Sequence, residues 1–239
     1  MSETDHPLRY TQLTLDLHLK DSFTFDNFIG GDNELLIKLL KNEPLNTEQQ
    51  IYFWAQHNAG KTHLLQALCQ HFSQKNLNVS FMPLSQLVAY SPEIFNGLEA
   101  LDVCCIDDVQ LLQDRPDWQE SLFNLINRAR DTGVRLVFSA GQPADKINLQ
   151  LKDLVSRLQW GPVFRLMPLN DTGKHQALQQ RAQARGFELA DNVVAYLLNN
   201  YNRNTADLFN MLDALDKAQL QQHRRLTIPF VKRVLGSKP

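Results

Sequence analysis

A chain of 239 residues with 43% hydrophobic content is long enough for one large domain, or one medium domain with a small appendage, around a real core. Its formal charge of −2 argues against a stand-alone nucleic-acid binder, and no apolar run reaches the ~18 residues that span a bilayer. The three cysteines, Cys69, Cys104 and Cys105, form neither a disulfide framework nor a metal-ligand spacing, which fits buried thiols in a reducing cytoplasm.

Met1 to Ser22 reads as a polar leader without the basic and apolar regions of a secretory signal; its one apolar island is QLTLDLHL. Ile51 to Ala55 is rich in aromatic and β-branched residues and predicts a buried strand. From Lys61 to Gln74, residues Leu64, Leu65, Leu68 and Phe72 fall on one helical face. Short strands are predicted at Val79 to Met82, at Val103 to Ile106, at Arg135 to Ala140 and at Val163 to Met167. Between them, Trp118 to Arg130 is helical, with Leu122, Leu125, Ile126 and Ala129 at the required spacing. Strands alternating with helices imply parallel pairing through crossovers, an α/β layered fold. After Pro168 the texture changes to four helical patterns, Asp171 to Arg185, Asp191 to Asn200, Thr205 to Gln221 and Pro229 to Leu235. The expected division is a leader over 1–22, a nucleotide-binding α/β domain over 23–168 and a small all-helical domain over 169–239.

The stretch AQHNAGKT, Ala55 to Thr62, ends as a phosphate-binding P-loop, with Gly60, Lys61 and Thr62 in place behind Asn58 and Ala59. Such a loop turns consecutive backbone N–H groups toward phosphates and places a helix N-terminus beneath them. Lys61 is expected to reach the terminal phosphates and the Thr62 hydroxyl to ligate Mg2+. The pattern asks for glycine where Ala55 stands; alanine serves there if the backbone keeps a negative φ. The apolar strand VCCIDD then ends in two acids, as a Walker-B element needs: Asp107 for the metal and Asp108 over the attacking water. These residues point to a nucleoside-phosphate-binding domain.

Six ordered motifs between about Phe23 and Leu235 resemble the DnaA family of AAA+ replication initiators. TFDNFIGGDNELL is similar to the family's N-terminal box, which packs against the nucleotide base, implying contacts from Phe25, Phe28 and Ile29. AQHNAGKTHLL resembles its Walker A, adding His63 to the cofactor set, and VCCIDDVQLL its Walker B. RLVFSAGQPA resembles the sensor-1 strand, implying that Ser139 watches the terminal phosphate. DLVSRLQWG is similar to box VII, whose arginine, here Arg157, reaches into a neighbouring subunit's nucleotide. The C-terminal helices, through LTIPFVKRVL, resemble the AAA+ lid. The sensor-2 arginine of initiators falls on Ala206, with Arg203 expected to face another side of a helix. The resemblance therefore implies an AAA+ P-loop domain with a parallel sheet, followed by a helical lid.

Two features set this sequence beside the DnaA-related regulators that inactivate the initiator, rather than with the initiator itself. Initiators continue past the lid into a helix-turn-helix domain, whereas this sequence ends at Pro239. The leader carries QLTLDL, similar to the peptide that docks on the DNA polymerase sliding clamp, with Gln12 as anchor and Leu13, Leu15 and Leu17 in an apolar groove. The resemblance implies a cytoplasmic negative regulator, itself not an enzyme beyond weak NTPase activity, which holds ADP (or ATP) with Mg2+ as a structural ligand. Its partners would be the DnaA initiator, the clamp, DNA through the clamp, and a possible second copy of itself. Arg157 would act on the initiator's ATP in trans, with Asp108 the residue capable of residual hydrolysis. A helicase-loader-like ATPase and a nucleotide-independent clamp adaptor are the alternatives.

Overall fold

The computed structural model describes residues 23–42, 49–56, 58–222 and 225–236. Strands β1 (Gln50–Trp54), β2 (Val79–Pro83), β3 (Val103–Asp107), β4 (Arg135–Ala140) and β5 (Val163–Arg165) form one parallel sheet in the order β2-β3-β4-β1-β5. Helices α1 (Glu34–Leu40), α2 (Lys61–Ser73), α3 (Leu84–Leu87), α4 (Pro116–Thr132) and α5 (Lys152–Leu158) accompany it. Side chains alternate faces along a strand, and both faces here are buried. Tyr52, Cys104, Ile106, Leu136 and Phe138 pack toward α4 and α5, with Leu122, Leu125 and Leu154. Ile51, Phe53, Cys105 and Val137 pack on the other face with Leu64, Leu68 and Phe72 of α2 and Leu36 and Leu40 of α1. All three cysteines are buried and free, and burial pushes the thiols of Cys104 and Cys105 far up.

After the sheet in chain order, α6 (Asp171–Ala184), α7 (Asp191–Asn200), α8 (Thr205–Gln222) and α9 (Ile228–Leu235) enclose a separate apolar core that includes Leu178, Val194, Leu197, Leu208, Leu212 and Phe230. Asn170 caps α6 by accepting from Gly173 N at 2.8 Å, and Thr227 caps α9 by accepting from Phe230 N at 3.4 Å. The lid thus has its own capped helices and its own core. Among the described residues no helix is long and apolar enough to cross a membrane.

The α/β fold and the lid are those expected. The fifth strand is shorter than Val163 to Met167. Leu166 N still bonds Trp54 O at 2.8 Å, but Met167 N turns to Asn33 Oδ1 at 2.7 Å and leaves the ladder. Asn33 is buried and also donates to Gly30 O and Met167 O, at 2.8 and 3.0 Å. One amide therefore clamps the opening segment of the α/β unit to the chain leading into the lid.

The close approach of the segment before β5 to β1 admits no side chain at Gly161. A Cβ there would lie 1.8 Å from the Gln50 carbonyl oxygen, a backbone atom that cannot move without breaking the β1 edge. Gly161→Ala is expected to destabilise the fold by at least about 2 kcal/mol, read as a lowered denaturant midpoint by circular dichroism.

Candidate nucleotide site

Strand β1 delivers the chain to the loop before α2 at the carboxyl end of a parallel sheet, where ligands of open α/β folds bind. Ala55 continues the ladder by donating to Ala140 O at 3.1 Å, and it is not among the residues with positive φ. The missing glycine is thereby explained: the turn is made later, by Asn58 at φ 65° and Gly60 at φ 95°. Asparagine tolerates that region and glycine is at ease in it. At Gly60 space as well as φ excludes a side chain, since a Cβ would lie 2.9 Å from Phe28 Cε2. Lys61 is only 7% exposed, and its Nζ donates to the Ala55 carbonyl at 3.1 Å.

Asp107, at the end of β3, joins three elements. Its Oδ2 accepts from Thr62 Oγ1 of α2 at 2.6 Å, and its Oδ1 accepts from Ser139 Oγ of β4. Burial is the largest influence on Asp107 and pushes its carboxyl above the usual range, against the pull of the two hydroxyls. Thr62 and Asp107 present hard oxygen donors at one point, the donor chemistry that suits Mg2+. Among the described residues no cluster of three or more His, Cys, Asp or Glu side chains could hold a metal ion. A P-loop site needs no such cluster, because phosphate and water oxygens complete the shell, and the ion would neutralise phosphate charge there.

The second acid is held apart from the first. Asp108 adopts φ 62°, a left-handed conformation costing about 1–2 kcal/mol for a residue with a side chain. Gln110 supports it, donating from Nε2 to Asp108 Oδ1 at 2.9 Å and accepting at Oε1 from Gly141 N at 2.8 Å. Sequence reasoning assigned Gln110 no role of its own, although it stands in the matched VCCIDDVQLL segment. Ser139 also differs from expectation. It is fully buried, donates to Asp107 and accepts from Asp108 N at 3.4 Å, so it orients the two acids rather than facing the cleft.

The opening segment lies on α2. His63 stacks on Phe23 at 4.6 Å, meets Phe28 edge-on at 5.1 Å and donates from Nε2 to the Thr24 carbonyl at 2.9 Å. Phe25 meets His71 edge-on and lies under Lys41 Nζ, while Ile29 is half-buried. Phe28 and His63 thus form an aromatic cluster with Phe23 as an unforeseen member, while Phe25 packs beside it against His71.

A cleft of about 220 Å3 opens between this loop and the lid. Asn58 and Ala59 line it from the P-loop, Arg165 from β5, and Lys174, Arg203 and Thr205 from the lid. This corrects the expectation for Arg203. The residue precedes α8 instead of lying within it, so the loop aims it at the cleft, where its Nη1 pairs with Asp171 Oδ2 at 3.1 Å. Ala206 lies one residue into the helix and offers no charge. The clamp-type peptide, with Gln12, Leu13, Leu15 and Leu17, lies outside the described residues.

A family model of the bacterial DnaA ATPase domain matches residues 19–165, and one of the Hda lid domain matches residues 171–235. Domain III of the Thermotoga maritima replication initiation protein DnaA superposes with a TM-score of 0.80 at 22% identity, over 91% of this chain and 97% of that one. AMPPCP-bound DnaA from Aquifex aeolicus superposes with a TM-score of 0.70 at 22% identity, covering 84% and 67%. Thermotoga maritima RuvB, a Holliday junction branch migration motor, gives 0.70 at 15% identity, covering 91% and 72%. At these identities the structural likeness is one of fold.

Arg203→Ala is expected to weaken nucleotide binding about tenfold by calorimetry, the range of a charge-assisted hydrogen bond to phosphate. Burial, and more weakly Arg181, hold the His63 imidazole below its usual pKa, opposed by its bond to Thr24. The folded protein therefore binds fewer protons here than the unfolded chain. The contribution is intact above the ordinary histidine pKa of about 6.5 and drains as pH falls from there toward the folded value. Amide protection factors in residues 23–29, corrected for the base-catalysed intrinsic exchange rate, should fall as pH drops from 7.5 to 5.5 in the wild type, and lose most of that pH dependence in His63→Gln.

Proposed function

The chain belongs to the bacterial DnaA ATPase family, with a lid of the Hda type, and from that premise we propose that it is a nucleotide-bound negative regulator of replication initiation. In this reading a nucleoside diphosphate, ADP above others, fills the cleft and fixes the lid against the α/β unit. Lys61 and the P-loop amides take its phosphates, and Thr62 with Asp107 holds Mg2+. The leader docks the protein on the DNA-loaded clamp, which raises its local concentration where the initiator–ATP complex is met. Arg157 then enters the initiator's nucleotide site. A guanidinium beside the γ-phosphate stabilises charge that develops in transfer, an effect of about 10³–10⁵ in rate.

One observation carries the reading. The backbone carbonyl of Arg157 accepts from Gln50 Nε2 at 2.6 Å, which ties the residue to the first residue of β1. The protein's own P-loop follows the last residue of that strand, roughly 15 Å away at about 3.3 Å per residue. Arg157 therefore stands at the far end of the sheet from its own cleft, which supports service to a nucleotide on another molecule. Head-to-tail contact between such surfaces is the natural geometry for that service. The protein's own turnover is slow in this account, because Ala206 supplies no cation where the initiator's sensor-2 arginine falls.

The test is single-turnover hydrolysis of labelled ATP preloaded on the initiator, with DNA-loaded clamp and this protein. Wild type is expected to stimulate strongly. Arg157→Ala should lose on the order of 10³-fold, and Gln12→Ala/Leu13→Ala should lose stimulation at low protein concentration but regain it at high concentration. A rate that wild type leaves unchanged sinks the reading.

A further inference from the structure

Resting on that role for Arg157, we propose that Trp160 is its positioning residue: the indole holds the guanidinium flat, oriented and un-neutralised at the surface a partner meets. The guanidinium carbon of Arg157 lies 3.6 Å from the Trp160 ring centroid, and the Phe123 ring flanks it at 5.5 Å. Trp160 N bonds the Arg157 carbonyl at 3.1 Å, so the turn that ends α5 brings the ring back over the side chain three residues before it. Trp160 remains 42% exposed, so the stacked pair lies at the molecular surface.

Stacking matters here because of what it leaves open. An indole takes the face of a guanidinium, while the N–H donors lie in the guanidinium plane and stay available. Other arginines of this chain are engaged differently: Arg128 faces Glu99, Arg185 faces Asp213 and Arg203 faces Asp171. Among the described residues no carboxylate pairs with Arg157, and its Nε is buried without a hydrogen-bond partner. Arg130, in the last turn of α4, approaches the same indole at 4.7 Å, also with no carboxylate among the described residues. Two cations on one ring repel each other. An anion arriving from outside between or beside them would relieve that repulsion. A cavity of about 400 Å3, lined in part by Gln50, Arg130, Trp160 and Gly161, leaves room at this edge of the indole.

The experiment uses the full chain in the same single-turnover assay, titrated to saturation, with Trp160→Leu, Trp160→Phe and Arg157→Ala compared. Trp160→Leu is expected to lower the maximal rate about tenfold and Trp160→Phe about threefold, since indole is the best cation–π partner and phenyl a weaker one. The half-saturating concentration should move less than about twofold, whereas general damage to the interface would move it most. Wild-type maximal rates in both tryptophan variants, with Arg157→Ala inactive, overturn this inference alone. An Arg157→Ala protein as active as wild type overturns the reading beneath it. Should Trp160→Leu not fold, Trp160→Phe decides: a lowered maximal rate supports the inference and a wild-type rate overturns it.

Discussion

The carboxylate of Asp107 is the point on which the site hangs. It is the residue at which β3 ends, α2 begins to matter and β4 is held in register, because its two oxygens accept from Thr62 and Ser139. A buried carboxylate without partners would be strongly disfavoured. Here each oxygen has a hydroxyl donor, so the penalty becomes a positional constraint: moving any of the three elements leaves a charged group unsatisfied. The same constraint aligns the P-loop helix with the sheet before any ligand arrives.

From Asp107 the constraint spreads outward in two directions. Through Ser139 it reaches the backbone N–H of Asp108, and through Gln110 it reaches Gly141 beyond β4. Asp108 can stay in a left-handed conformation because both its backbone and its carboxylate are held. Toward the lid, the constraint passes along the sheet to β5 and Asn33, which fastens the opening segment to the chain leading to α6. Lys174 and Arg203 are then carried to the cleft by a lid whose core is its own. The lid is fastened at that junction and again where Gln180 of α6 donates to the Asp26 carbonyl at 3.1 Å, so a ligand touching both sides adds to contacts already in place.

Strands and long helices were legible because their patterns are long enough to repeat. The alternation of Ile51, Tyr52 and Phe53 and the spacing of Leu64, Leu65, Leu68 and Phe72 carry β1 and α2. The two seven-residue helices, α1 and α5, give barely two turns each, too few for periodicity to declare them. Lys61, Thr62, Asp107 and Asp108 were legible because their chemistry is local to short motifs. Ser139 and Arg203 were not, for opposite reasons. A hydroxyl's direction is set by its neighbours rather than by its own position, and Ser139 turns toward the nearest carboxylate. Arg203 was read as a helical residue, but the helix begins two residues later, at Thr205, so helical spacing does not govern where it points.

β1 separates the two chemical ends of the molecule. At its carboxyl end the chain turns into the P-loop; at its amino end Gln50 holds the carbonyl of Arg157, and Gly161 lies against the Gln50 backbone with no room for a side chain. A parallel strand buried on both faces and bonded on both edges, to β4 and β5, is a stiff connection. Occupancy of the cleft can order the lid and the opening segment without displacing the far end, because nothing along β1 is free to slide. Under the proposed function, binding and trans-activation are then separable properties of one scaffold. On that reading, loss of the cleft's cations weakens ligand retention, while loss of the aromatic bed beneath Arg157 disturbs the orientation of one guanidinium.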